Sequence, residues 1–95
     1  MPLSRNSVVV ASEDQVSTTV GEEVVILGMH DGVYYGLEHV GSRLWELLRA
    51  PRRVSDLVAA ITADFDVEAD RCEQDLLPLL ERLAERRLVR EVLDG

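Results

Sequence analysis

A change of hydrophobic period near the middle of the chain constrains its fold more than any other feature. In the first half, short apolar and β-branched runs lie between turn-forming residues, whereas in the second half leucines recur at intervals of three and four positions. A period of two residues is typical of strands, and a period of about 3.6 is typical of helices. The sequence therefore predicts a β half followed by an α half.

Three strands are predicted in the first half. Asp31-Gly32 between two apolar runs is a strong hairpin signal, and Gly21-Glu22 supplies an earlier turn. Consecutive strands joined by tight turns make an antiparallel meander, whose outer strands are the first and the third. The predicted strands cover residues 16–20, 23–29 and 33–37, and residues 8–11 are a candidate for a further short strand.

Three helices are predicted in the second half. The expected boundaries are Pro51, which stops the first helix after Ala50, Ser55, which can cap the second, and Asp66 or Val67, which begins the third. Pro78 lies inside the third helix, where it removes a backbone donor and predicts a kink or a break. Residues 88–92 alternate in polarity and are either a closing strand or an extended tail.

These elements indicate an α+β fold in which a three-stranded antiparallel sheet is followed by three helices, similar to a winged helix-turn-helix. The chain has 95 residues and contains neither an internal repeat nor a linker. One domain is therefore predicted over residues 1–95, with its core at about residues 16–90.

The composition argues against several classes of function. Cys72 is the only cysteine, and His30 and His39 have no clustered third ligand, so no metal site is expected. Neither a phosphate-binding loop nor a nucleophilic catalytic set is present, so neither an enzyme nor a cofactor is expected. The net charge of −8 disfavours nucleic acid as a partner. No apolar run reaches the roughly 20 residues of a membrane span, and the N-terminus lacks a signal-peptide pattern, which predicts a cytoplasmic protein.

The third strand is the predicted binding surface. An exposed edge strand has unpaired N–H and C=O groups, which an extended peptide can bond by adding as a further strand. Tyr34 and Tyr35 supply large contact surfaces there, and Gly36 permits close approach of another backbone. These residues favour a peptide-binding module.

The tyrosine strand and the helix after it also form a known pattern. Residues 31–37 read DGVYYGL, and residues 41–48 read Gly-x-x-Leu-Trp-x-Leu-Leu. A strand with adjacent tyrosines that leads into such a helix resembles the PqqD-type RiPP recognition element. The resemblance continues through hydrophobic positions of the later helices and covers about residues 16–90.

This resemblance implies that the chain binds the leader segment of a ribosomally made precursor peptide. The leader would add beside the third strand and pack against some residues of the third helix, where Asp75 could pair with a basic leader residue. The residues implied are Val33, Tyr34, Tyr35, Gly36, Cys72, Asp75, Leu76, Leu79, Leu80 and Leu83.

Within this family, the chain looks most like the separate recognition protein of lasso peptide biosynthesis. Such a protein works beside a leader-cleaving cysteine peptidase and an ATP-dependent cyclase. The resemblance to PqqD itself implies an alternative, a chaperone for the pyrroloquinoline quinone precursor.

Two further alternatives belong to other classes of protein. The winged-helix likeness and the arginines around the end of the first helix suit a DNA-binding regulator; these are Arg43, Arg49, Arg52 and Arg53. An exposed groove also suits a structural subunit that docks onto another protein without binding a peptide.

Overall fold

The computed structural model describes residues 3–93, within which six strands and three helices lie. In chain order they are β1 (Val8–Ala11), β2 (Gln15–Val20), β3 (Glu23–Gly28), β4 (Tyr34–Glu38), α1 (Val40–Leu47), β5 (Arg52–Arg53), α2 (Val54–Asp64), α3 (Ala69–Glu85) and β6 (Val89–Val92). Residues 1, 2, 94 and 95 of the predicted domain lie outside the described residues. The predicted α+β class is confirmed.

The predicted antiparallel meander is formed by β2, β3 and β4, in that order, so β2 and β4 are its edges. At the β3–β4 turn, Gly32 has a φ of 69°, and the Asp31 carboxylate accepts a hydrogen bond of 3.0 Å from the Val33 amide. Glycine tolerates this left-handed backbone because it has no Cβ, so Asp31-Gly32 closes the hairpin as predicted. The strand begins at Tyr34 rather than at the predicted Val33, since the Val33 amide is bonded within the turn.

A second sheet joins the beginning of the described chain to its end. Strand β1 lies at its centre and pairs antiparallel with β6 on one side and with β5 on the other. Residues 8–11, the candidate for a further short strand, thus do form one. Residues 88–92 contain a strand rather than an extended tail. The sheet itself was not predicted, because its pairings connect segments that are distant in sequence.

The boundary between α1 and α2 differs from the prediction. Helix α1 ends at Leu47, three residues before the expected end at Ala50. Helix α2 begins at Val54, and no side chain caps it, so the prediction of Ser55 as its cap was wrong. The N-terminal segment replaces that cap: the carbonyls of Ser7 and Arg5 accept the amides of Val54 and Ser55 at 2.9 and 3.0 Å. These bonds satisfy amides that a helix leaves without an internal partner.

Helix α3 begins at Ala69, later than the predicted Asp66 or Val67, and runs without a break through Pro78. Of the two predicted alternatives, the break is therefore wrong, and the kink stays a prediction. Pro78 and Gln74 are both exposed, so water can bond the Gln74 carbonyl that loses its helical partner.

The C-terminus of α3 has a well-defined cap. Arg87 has a φ of 61°, its amide bonds the Ala84 carbonyl at 3.0 Å, and the Leu88 amide bonds the Leu83 carbonyl at 2.9 Å. This pair of bonds with a left-handed residue is a Schellman motif, which turns the chain from the helix into β6.

The hydrophobic core receives side chains from both sheets and from the three helices. Because the inner face of the meander packs on the helices, Val24 and Ile26 of β3 are buried in this core. The most deeply buried large side chains are Val9, Ile26, Leu44, Leu48, Val54, Leu57, Ile61, Leu80 and Leu83.

Candidate functional site

The free edge of β4 presents backbone groups that an added strand can bond. The Gly28 amide donates to the Val33 carbonyl at 3.0 Å, so Gly28 and Val33 form a hydrogen-bonded pair. The register of the two strands then shows which other residues of β3 and β4 form such pairs. In an antiparallel ladder, successive residues direct their N–H and C=O groups towards opposite sides. Tyr34, Gly36 and Glu38 therefore point their backbone groups away from β3 and towards the free edge.

The two tyrosines of β4 lie on opposite faces of the sheet. Tyr34 is 69% exposed and lies beside Leu27 on the outer face, whereas Tyr35 is half-buried beside Ile26 and packs against the core. Gly36 adds no side chain to the outer face, and a Cβ there would approach only the flexible Glu23 carboxylate, at 3.3 Å. Of the two rings, Tyr34 is available to a ligand, and Tyr35 anchors the strand.

The outer face of the meander is unexpectedly apolar. Val16, Leu27 and Tyr34 form one row across the three strands, and Val16 is 58% exposed. Strand β2 turns its valines outwards, and Ser17, on its inner side, accepts a hydrogen bond of 3.1 Å from the buried Trp45 ring. The alternation of β2 identifies two faces, but sequence reasoning did not assign the valine face to this surface.

The predicted residues of α3 divide into two groups. Leu79 is half-buried and Asp75 is exposed, so both side chains can contact a ligand. The other four are at most 5% exposed and pack into the core, where they hold the helix in place: Cys72, Leu76, Leu80 and Leu83. The structure therefore makes Leu79 and Asp75 accessible and places the other four behind them.

The C-terminal end of α3 lies against the β3–β4 turn. Arg87, directly after the helix, approaches His30 of the turn with 3.3 Å between Nη1 and Nδ1. The Leu88 side chain lies close to Gly28, where an added Cβ would meet it at 3.4 Å. These contacts bring the end of α3 and the start of β4 to the same side of the molecule.

The two ionisable side chains that the sequence analysis named on α3 are Cys72 and Asp75, and their electrostatics suit binding better than nucleophilic attack. Burial raises the pKa of the Cys72 thiol, and the nearby Asp75 carboxylate raises it further, so the thiol stays protonated at neutral pH. Asp75 itself forms an exposed ion pair with Arg71 at 3.5 Å. Such an exposed pair is weak and can exchange Arg71 for a basic residue of a ligand.

Residues 3–93 form neither a cluster of metal ligands nor a membrane-spanning helix. No group of three or more potential ligands from His, Cys, Asp and Glu comes together there to hold a metal ion. None of the helices in the described part of the chain is long and apolar enough to cross a membrane.

Comparison with known proteins identifies the family. Residues 23–89 match the PqqD family, described as coenzyme PQQ synthesis protein D. The chain belongs to the PqqD family. The matched range begins with β3, includes the proposed site on β4 and α3, and ends at the first residue of β6. This confirms the resemblance to a PqqD-type recognition element that the tyrosine strand indicated.

A solved structure resembles this PqqD-family chain over nearly its whole length. It is described as TbiB1 in complex with the TbiA(beta) leader peptide, and it superposes with a TM-score of 0.80 at 38% sequence identity. The match covers 90% of this chain and 99% of TbiB1. No curated protein matches the chain.

Proposed function

We propose that this chain binds the leader segment of a ribosomally made precursor peptide and catalyses no reaction itself. It presents the precursor in the cytoplasm to a leader-cleaving cysteine peptidase and an ATP-dependent cyclase of lasso peptide biosynthesis. The observation that carries this proposal is the open β4 edge in a chain 38% identical to a protein solved with a leader peptide.

The leader adds to β4 as a fourth strand of the meander. Its main chain bonds the outward N–H and C=O groups of Tyr34 and Gly36, which gives affinity with little dependence on leader sequence. Selectivity comes from alternate leader side chains, because those on the outer face extend the apolar row of Val16, Leu27 and Tyr34.

Helix α3 supplies the remaining contacts. Leu79 offers an apolar surface to leader side chains on the inner side, and Asp75 offers a carboxylate to a basic one. The four buried residues behind them keep the helix at a constant position. A helix held at a constant position lowers the entropic cost of binding, because ordering then falls mainly on the leader.

The test is a fluorescence anisotropy titration with the labelled leader from the neighbouring precursor gene. We expect saturable binding with a Kd near 1 μM, which corresponds to about 8 kcal/mol. Tyr34→Ala should raise Kd roughly 30-fold, because a central aromatic contact commonly contributes about 2 kcal/mol.

Met29→Ala is the matched control for this substitution. Met29 is 61% exposed, close to the 69% of Tyr34, but lies beyond β3 in the turn. The Met29→Ala substitution should leave the Kd for the leader unchanged. Equal affinities of Tyr34→Ala and the unsubstituted protein, both folded by circular dichroism, would refute the placement of the leader on β4.

A chaperone for the pyrroloquinoline quinone precursor is a second candidate function, favoured by the description of the matching family. The two functions share the β4 site and differ in the leader. The same titration with both precursor leaders separates them, since the physiological partner should bind at least about tenfold more tightly.

A further inference from the structure

A cleft lies at the edge of the meander opposite to β4. It has a volume of about 540 Å³ and opens between β2 and α1. Ser17 and Thr19 line it from the strand, and Arg43, Arg49 and Arg52 line it from α1 and the segment that follows. The leader site does not use this edge.

Strand β2 directs free backbone groups to the same edge. The Met29 amide donates to the Asp14 carbonyl at 2.9 Å, which extends the β2–β3 ladder and fixes its alternation. By that alternation, Ser17 and Thr19 point their N–H and C=O groups away from β3. Their side chains lie on the inner face, which is the side of the cleft.

The charge of the cleft is opposite to that of the whole chain. Three arginines and one glutamate line it, whereas the net charge of the chain is −8. Arg43 is engaged by Asp64 at 2.8 Å and by Glu46 at 3.1 Å, and the hydrogen bond to Asp64 is the main reason that its pKa is raised. Arg43 therefore contributes little free positive charge.

The other two arginines are more available to a ligand. Arg52 uses only its Nε, which donates to the Leu47 carbonyl at 3.1 Å. Within residues 3–93, the guanidinium of Arg49 has no hydrogen bond or ion pair and is exposed. Both can therefore pair with carboxylates, which guanidinium groups bind in a planar, bidentate arrangement.

We propose that this cleft is a second strand-addition site, which binds an extended acidic segment of a partner protein. A strand added to β2 turns every second side chain to the inner face, where carboxylates meet Arg49 and Arg52. Because β2 and β4 are opposite edges of one sheet, leader and partner can bind together. The proposal goes beyond leader binding and does not depend on it.

The charge pattern distinguishes this occupant from others. A second copy that paired through its own β2 would lay residues 15–20 along this edge, and because none of these residues is charged, the paired strand itself would offer Arg49 and Arg52 no carboxylate. A nucleic acid would satisfy the arginines but cannot continue the hydrogen-bond ladder of a sheet. An acidic peptide satisfies both.

The experiment uses a fluorescein-labelled, end-capped peptide of four Glu-Thr repeats as the probe, with four Gln-Thr repeats as its control. Anisotropy should show saturable binding of the Glu-Thr peptide at low ionic strength, weakening as salt is added. Arg49→Gln should raise its Kd about fivefold or more, whereas Arg86→Gln, which removes an exposed charge at the end of α3, should not.

Proline substitutions test the strand addition separately from charge. Thr19→Pro removes an outward amide at the β2 edge and should raise the Kd of the Glu-Thr peptide at least about tenfold while leaving leader binding intact. Gly36→Pro removes the corresponding amide of β4 and should have the reverse effect. If the Glu-Thr peptide does not bind while the leader binds normally, the second strand-addition site is overturned and the proposed leader-binding function is not.

Four further results would also overturn the proposal. The first is equal binding of the Gln-Thr peptide, and the second is an unchanged Kd for both Arg49→Gln and a folded Thr19→Pro. The third is displacement of the probe by a short DNA duplex at lower concentration than by unlabelled probe, which would indicate a nucleic-acid site. The fourth is a dimer in sedimentation that Thr19→Pro dissociates.

Discussion

Replacing Leu76 by alanine tests how α3 takes part in the site. Leu76 is 2% exposed and lies in the core cluster, one helical turn from both Cys72 and Leu80. Leu79, on the same helix, is half-buried and accessible from outside. We therefore expect Leu76→Ala to act on stability and Leu79→Ala to act on leader affinity.

The expected size follows from burial. Truncating a fully buried leucine costs about 2–5 kcal/mol, because contacts are lost and a cavity remains. A loss of about 3 kcal/mol is a large part of the free energy of unfolding of a typical domain, which is roughly 5–15 kcal/mol. In a chain of this size it lowers Tm by roughly 12–24 °C. Leu79→Ala should lower the free energy of unfolding by only about 1 kcal/mol, because folding buries less of the Leu79 side chain than of the Leu76 side chain.

The assay combines thermal unfolding, followed by circular dichroism, with leader titration at a temperature where both variants are folded. We expect Leu76→Ala to lower Tm strongly and to change Kd less than about threefold, and Leu79→Ala to raise Kd about tenfold. The reverse result, in which Leu76→Ala keeps its Tm but loses affinity, would show that Leu76 faces the groove. The assignment of core and contact residues on α3 would then be wrong.

Three further predictions concern stability rather than leader affinity. Ser17→Ala should lower the free energy of unfolding in urea by about 0.5–1.5 kcal/mol, because the Trp45 N–H loses its acceptor at 3.1 Å; an unchanged midpoint would contradict this. Pro78→Ala should stabilise the protein by about 1–3 kcal/mol, since the restored amide can bond the Gln74 carbonyl, and a lower Tm would show that the ring packs favourably. The pKa of the Cys72 thiol is raised from its ordinary value of 9.0, so the contribution of this thiol to stability should be constant below pH 9.0 and be lost as pH rises above it; Cys72→Ala should remove this part of the pH dependence.

The β4 part of the candidate site was accessible to sequence reasoning because its signals are local. Asp31-Gly32 predicts the hairpin, and two adjacent tyrosines in a strand place one ring on each face. The contribution of α3 was less accessible. A leucine stripe identifies one side of a helix, but the depth at which each leucine is buried depends on the elements packed against that side.

The start of α2 and the continuity of α3 were also not predicted from the sequence, because both depend on contacts with distant segments. Ser55 has good capping chemistry, but α2 begins one residue earlier because the carbonyls of Arg5 and Ser7 already bond its first amides. Pro78 disfavours a helix interior, yet packing of the apolar face on both sides of it keeps α3 continuous.

The order of the three meander strands and the three helices, and the two edges of the meander, could be predicted from the sequence, because side-chain period and turn residues act over a few positions. Three features became visible in the folded chain alone: the pairing of β1 with β6, the outward direction of the β2 valines, and the position of Arg49 and Arg52 beside a free strand edge. Each of these depends on contacts between segments that are far apart in the chain. Such contacts form when the whole core is assembled, and no local pattern of residues encodes them.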